Sequence, residues 1–319
     1  MRYFFYTLVC FIGIVLTLTF LDTFFSFGIK NNLNIKSSYV QLKKIDAELL
    51  VHGPCEPLWM ISPQKIENQT GLKTYNLALS HSDFADNFLH LYLYYKKNRA
   101  PYYLLLYVTP ESFDVKFNTF NTYRFANWMG DFTIASVVKE MDACYYRYSC
   151  IPFMRFAYYN QREIFEMMQG YKHYFTHKTS PYFPDGFEPP VKVRWDNHFN
   201  RFAELYPNGY YFTWDKTREK YFRKIIEFAR ANKTKVILYE SPIYKNAISH
   251  FKNRTEIISK IKGIAKEYGI DYCIFDGMKL AEKKENFIST LNLNYTSALI
   301  FSDSLGKYLN EKYIRIKNN

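Results

Sequence analysis

The feature that most constrains this chain is a recurrence of short apolar runs separated by amphipathic segments. The runs are Ala47 to His52, Lys73 to Leu77, Tyr103 to Val108, Lys235 to Glu240 and Asp271 to Phe275. Each is too short for a helix and carries no strict polar alternation, so each reads as a strand buried on both faces. After the second run, Phe84, Phe88, Leu91 and Tyr95 recur at helical spacing, with Ser82 available as a cap and Asp83 and Asp86 suited to the positive end. Ile225, Ile226 and Phe228 mark a second apolar stripe, and Ile257, Ile258, Ile261 and Ile264 a third. Strands alternating with such helices predict an α/β domain built on a mainly parallel sheet covered on both sides.

Two stretches depart from this pattern. From Tyr3 to Leu21 there are 19 residues without a formal charge, a helix of roughly 28 Å at ~1.5 Å per residue, enough to cross a bilayer's hydrocarbon layer. Ser26-Phe27-Gly28 is a poor cleavage site, so residues 1–28 read as a retained signal anchor, with residues 29–319 as the domain it holds. Arg2 precedes the apolar segment while Lys30 and Lys36 follow it, so flanking charge alone leaves the orientation open. The second departure, at about 115–207, is rich in Tyr, Phe, Trp, Asn and Pro. It reads as an insertion between the third and fourth strands, with a helical piece around Gln161 to Gly170.

Composition narrows the partners. The net charge of +12 is spread over helix faces such as TREKYFRKIIEFARANK, with no compact basic cluster, zinc-ligand spacing or RNA-binding signature. Nucleic acid is therefore rejected as a partner in favour of anionic lipid headgroups or an anionic polymer, and no cofactor or metal is expected. Aromatic residues make up 20% of the chain, which fits either aromatic-lined grooves or a compositional bias toward Phe and Tyr. The five cysteines form no framework; Cys144 and Cys150 are close enough to pair and equally suited to remain free thiols.

Ligands of open α/β sheets bind past the carboxyl ends of the strands. The polar residues there are Cys55 and Glu56, Ser80 to Asp83 including His81, Thr109 and Glu111, Glu240 and Ser241, and Asp276. The glutamates and Asp276 could line a carboxylate cleft for a sugar or cation, though such residues more often cap helices or accept backbone N–H groups.

At these positions the chain resembles the divergent SGNH/GDSL-hydrolase-like superfamily of membrane-anchored envelope proteins, over most of 45–115 and 215–312. Gly53-Pro54-Cys55 stands at the family's Gly-x-Ser turn, which puts Cys55 at the nucleophile's position. Asn76-Leu77-Ala78 lacks the oxyanion-hole glycine, and Thr109-Pro110-Glu111 lacks the third-block asparagine. In the last block Asn292 takes the place of the histidine base and Ser289 that of its carboxylate, followed by Ser297-Ala298 and Phe301-Ser302.

The resemblance implies a flavodoxin-like three-layer sandwich on the extracytoplasmic side of a bacterial membrane. It further implies action on a cell-envelope polysaccharide beside a membrane-bound acyltransferase. An asparagine amide cannot accept a proton at neutral pH, so the standard triad is absent. The expected protein is non-catalytic, with Glu56, Ser80, Thr109, Glu111, Glu240 and Ser289 as substrate-binding positions. The alternative is an esterase or acyltransferase with Cys55 as nucleophile and His81 as base, Cys55 being activated by a helix N-terminus.

Overall fold

A computed structural model describes residues 1–117, 119–157, 162–177, 183–190, 195–196 and 198–315. In chain order the elements are α1 (Arg2–Lys30), α2 (Lys36–Leu42), β1 (Leu49–His52), α3 (Cys55–Met60), α4 (Pro63–Thr70), β2 (Thr74–Asn76), α5 (Phe84–Lys97) and β3 (Tyr103–Tyr107). There follow α6 (Phe132–Met141), α7 (Tyr146–Ser149), α8 (Met154–Ala157), α9 (Arg162–Thr176), α10 (His198–Leu205), α11 (Lys216–Ala231), β4 (Lys235–Glu240), α12 (Lys245–Ile248), α13 (Arg254–Tyr268), β5 (Asp271–Ile274) and α14 (Tyr295–Leu309). By the packing of its backbone the chain divides into two compact units, Met1–Lys44 with Phe120–Pro181, and Ile45–Thr119 with Tyr182–Asn319.

The second unit holds the sheet. All five expected strands form, shortened by a residue or two at some ends, and every pairing is parallel, in the order β2-β1-β3-β4-β5. Leu50 pairs with both Tyr75 and Leu104, Leu104 with Val236, and Leu238 with Tyr272. Alternate side chains serve opposite faces. Leu49, Val51, Leu105, Tyr107, Ile237 and Tyr239 pack with Met60, Ile66, Phe301 and Leu305 of α3, α4 and α14. The expected apolar stripes of α5 and α11 meet each other, Phe84 against Phe222 at 5.1 Å and Phe88 and Tyr95 against Phe228. Burial on both sides explains why the strands read as continuous apolar runs.

One expected cap shifts by a residue. Asp83, not Ser82, caps α5: its Oδ1 accepts from the N–H groups of Ala85 and Asp86, and Asp86 Oδ2 accepts in turn from the Asp83 N–H. An ionised acceptor satisfies two orphan donors and the helix dipole together, which a hydroxyl does less well. Ser82 instead donates to the Leu79 carbonyl and contacts Asn87 Oδ1.

The first unit is built on α1, whose apolar window is wholly exposed. Near its end α1 crosses α9 closely. A Cβ on Gly28 would stand 2.5 Å from Met167 Cγ, and one on Gly170 would collide with the Gly28 carbonyl oxygen. Glycine at both positions is what lets these backbones touch. Asp22 forms an ion pair with Arg155, which also donates to Ser26 Oγ at 2.7 Å and to the Ala126 carbonyl. Ile29, Phe156 and Met167 form the small core. Residues 120–181 of the expected insertion thus group with the N-terminal segment, and residues 182–207 with the sheet. The helix expected around Gln161 to Gly170 appears as α9, Gln161 itself lying outside the described residues. Cys144 and Cys150 are free thiols, as are the other three cysteines.

Candidate functional site at the carboxyl edge of the sheet

The strand order reverses between β1 and β3, the switch point at which open α/β sheets leave a crevice. Three glutamates stand buried along this edge: Glu56 in the first turn of α3, Glu111 in the Pro110–Phe113 turn after β3, and Glu240 at the end of β4. Burial raises the pKa of all three. Glu240 is pushed up to about 7 by desolvation, against the opposing pull of Arg254 and Tyr272.

Their partners differ. Glu240 Oε1 accepts from Arg254 Nη2 at 2.5 Å and Oε2 from the Tyr272 hydroxyl at 2.7 Å, while Arg254 also reaches Asp276 at 3.2 Å. Arg254 opens α13, so this network ties β4, β5 and α13 together. Glu111 has no such partner set. The Thr109 side chain hydrogen-bonds its carboxyl group, yet Glu111 Oε2 is buried and makes no hydrogen bond among the described residues. Thr109 also exchanges hydrogen bonds with Ser112 to close the turn.

The Gly53-Pro54-Cys55 turn explains its own glycine. Gly53 lies at φ 146°, and a Cβ there would stand 2.8 Å from Tyr107 Cβ. The turn delivers Cys55 to the start of α3, half-buried, with Sγ 3.6 Å from Glu56 Oε2. Burial pushes the Cys55 thiol far above its usual range, Glu56 pushes the same way, and a hydrogen bond from the His81 backbone N–H offsets only part. The expected activation by a helix N-terminus is therefore overturned. A six-residue helix has little dipole to offer, and a neighbouring carboxylate outweighs it. From the β2 loop it is the His81 backbone that reaches this sulfur; the exposed His81 ring lies with Nδ1 2.7 Å from Ser80 Oγ.

Ser289 and Asn292 are brought together, the Asn292 amide donating to Ser289 Oγ at 2.9 Å. Asn292 Oδ1 is buried without a hydrogen-bond partner among the described residues. Asn294 caps α14 by accepting from the Ser297 N–H, and Ser302 Oγ accepts from the Ser62 N–H at 2.9 Å and contacts the Met60 carbonyl oxygen at 3.0 Å. These bonds fix the last block against the α3–α4 connection.

A cavity of about 370 Å³ joins several of these residues. Its lining includes the polar residues Glu111, Ser289, Thr290 and Asn292, an apolar wall of Phe117, Phe202, Phe251 and Leu291, and the exposed Arg201. Phe202 is the centre of the wall, with ring centroids 6.0 Å from Phe251 and 6.3 Å from Phe117. Its size falls within the ~300–1,000 Å³ typical of small-ligand sites. Sequence reasoning reached Glu111, Ser289 and Asn292 but missed the wall and Arg254. Phe117 and Phe202 stand in the aperiodic stretch where no spacing marks a face. The only signal was its aromatic richness.

Fold and site together define a doubly wound α/β domain with an aromatic-walled pocket at the carboxyl edge of a five-stranded parallel sheet. No protein-family model matches the chain, and no curated protein is detectably similar to it.

Proposed function

We propose that this is a membrane-anchored envelope protein whose sheet-bearing unit binds glycan without catalysing acyl transfer, a degenerate SGNH-hydrolase-like domain. The observation that carries the binding reading is a cavity walled by Phe117, Phe202 and Phe251 whose lining includes Glu111 and Asn292, each with a buried side-chain oxygen that makes no hydrogen bond among the described residues. Buried acceptors without donors demand an explanation, and a bound hydroxyl is the simplest. A sugar supplies hydroxyl donors on its rim and C–H faces for aromatic rings, matching both halves of the lining. The loss of catalysis is supported by the amide at position 292 and by a Cys55 thiol that burial and Glu56 keep protonated.

Membrane attachment is supported by α1, which is long and apolar enough to cross a bilayer. In this reading the domain lies outside the cytoplasm, the N-terminus inside. It acts on the modification or export of an envelope polysaccharide, with a membrane-bound acyltransferase as partner, and the net charge of +12 suits an anionic polymer.

The test is equilibrium binding of neutral and anionic oligosaccharides to the full chain in detergent. Saturable binding that Phe202→Ala and Glu111→Gln each weaken is expected; absence of binding at millimolar sugar, or indifference to both substitutions, would remove the reading. The second reading, an esterase using Cys55 and His81, draws on the His81 N–H placed at the sulfur. It would take first place if purified protein showed ester hydrolysis abolished by Cys55→Ala or His81→Ala.

A further inference from the structure

Helix α9 buries two carboxylates beside Met167 and leaves a row of large apolar side chains exposed. Glu163 and Glu166 are turned inward, 3% and 9% exposed, with the Tyr123 hydroxyl donating to Glu166 at 3.0 Å. Outward stand Ile164, Phe165, Met168 and Phe175, 49%, 61%, 59% and 72% exposed. Ile164, Met168, Tyr171 and Phe175 recur at intervals of four, three and four residues, a single helical stripe. Against water both placements are unfavourable, since carboxylates lose hydration while apolar groups stay wet. Against an apolar medium the outward face becomes favourable.

The fold indicates which medium. Phe24 of α1 stacks on Tyr171 at 4.8 Å, Phe27 meets Tyr174 at 5.0 Å, Phe20 stacks on Phe24 at 6.2 Å, and Tyr171 on Phe175 at 6.3 Å. The rings form one ladder leading from the exposed apolar surface of α1 onto α9. Asn32, just past α1, donates to the Glu166 carbonyl while Phe24 stacks on Tyr171, so α9 runs antiparallel to the end of α1, and Phe175 points back toward the apolar span. Helix α1 has 29 residues, roughly 43 Å at ~1.5 Å each, against ~30 Å of hydrocarbon. Its last two turns therefore stand at headgroup depth, where aromatic rings concentrate. Lys30 and Lys172 are exposed there, matching lipid phosphate.

We infer that the exposed stripe of α9, with Phe24 and Phe27, lies in the headgroup layer of the bilayer that α1 enters, making lipid the partner of this face. The inference rests on the anchoring of α1. It makes α9 a second membrane contact that orients the first unit, beyond tethering it.

The experiment places photoreactive benzoylphenylalanine singly at the Phe20, Phe175 and Tyr211 positions of the full chain, reconstituted in vesicles of phosphatidylcholine and phosphatidylglycerol. Tyr211 is 66% exposed on the sheet-bearing unit and serves as the water-facing control. Lipid adducts at Phe175 should approach those at Phe20 and exceed those at Tyr211 by about tenfold, as an interfacial helix requires. Lipid adducts at Phe20 with only the Tyr211 level at Phe175 would overturn the inference while leaving the anchor intact. Failure at Phe20 as well would remove the anchor and this inference with it. A protein adduct replacing lipid at Phe175 in native membranes would overturn it in favour of a protein partner.

Discussion

Glu240 and Glu111 occupy the same edge of the same sheet, both buried and both with a raised pKa, yet their surroundings differ. Glu240 has each oxygen occupied, by Arg254 and by Tyr272, in a network that joins β4, β5 and α13. Glu111 keeps one oxygen without a hydrogen bond and contributes to a cavity whose wall is aromatic. A buried carboxylate with all its acceptors filled is part of the scaffold, and under the proposed function the one beside the cavity serves the ligand. Under that proposal the difference separates stability from binding along one sheet edge.

The sharpest way to break this comparison is to unpair Glu240. Arg254→Met should destabilise the protein by about 1–3 kcal/mol in urea unfolding at neutral pH, because it leaves Glu240 buried and protonated with one oxygen stripped of its guanidinium donor. Glycan affinity, extrapolated to the folded fraction, should hold. The reciprocal experiment is Phe202→Ala, which removes the centre of the pocket wall. It should weaken saccharide binding by about 1–3 kcal/mol, a loss of roughly tenfold to a hundredfold, measured by titration calorimetry.

The pH dependence of stability sharpens the contrast further. Glu240 has a folded-state pKa of about 7 against 4.5 for the free side chain. The neutral form is favoured on folding, so its contribution is fully present below about pH 4.5 and is lost as pH rises through about 7. Unfolding free energy should fall between those limits, and Glu240→Gln should flatten that fall by on the order of 3 kcal/mol. Glu111→Gln acts with the same sign. It removes a buried ionisable group that Glu56 repels, so relative to wild type it should gain stability as pH rises, by ~1 kcal/mol or less, while losing saccharide affinity. A large loss of stability from Glu111→Gln would erase the distinction between the two glutamates.

The smallest effect belongs to Cys55. Its thiol is held protonated, so Cys55→Ala should leave ester hydrolysis at background and change stability by about 1 kcal/mol.

The five strands and their parallel arrangement were legible because residues such as Leu50, Leu104 and Leu238 are buried whichever face they serve, and burial on both faces writes itself as an unbroken apolar run. The helix stripes of Phe84, Phe88 and Tyr95 and of Ile225 and Ile226 were legible for the same reason, one face of a periodic element being apolar. So were the polar residues past the strand ends, since topology alone puts them on one edge. The pairing of Glu240 with Arg254, the open oxygen of Glu111, the inward turn of Glu163 and Glu166, and the meeting of Phe117, Phe202 and Phe251 were not. Local pattern records which face of an element is apolar. Whether a charge is paired, and whether a cavity is walled, depends on side chains that tens to more than a hundred residues of chain separate and only packing brings within a few ångströms.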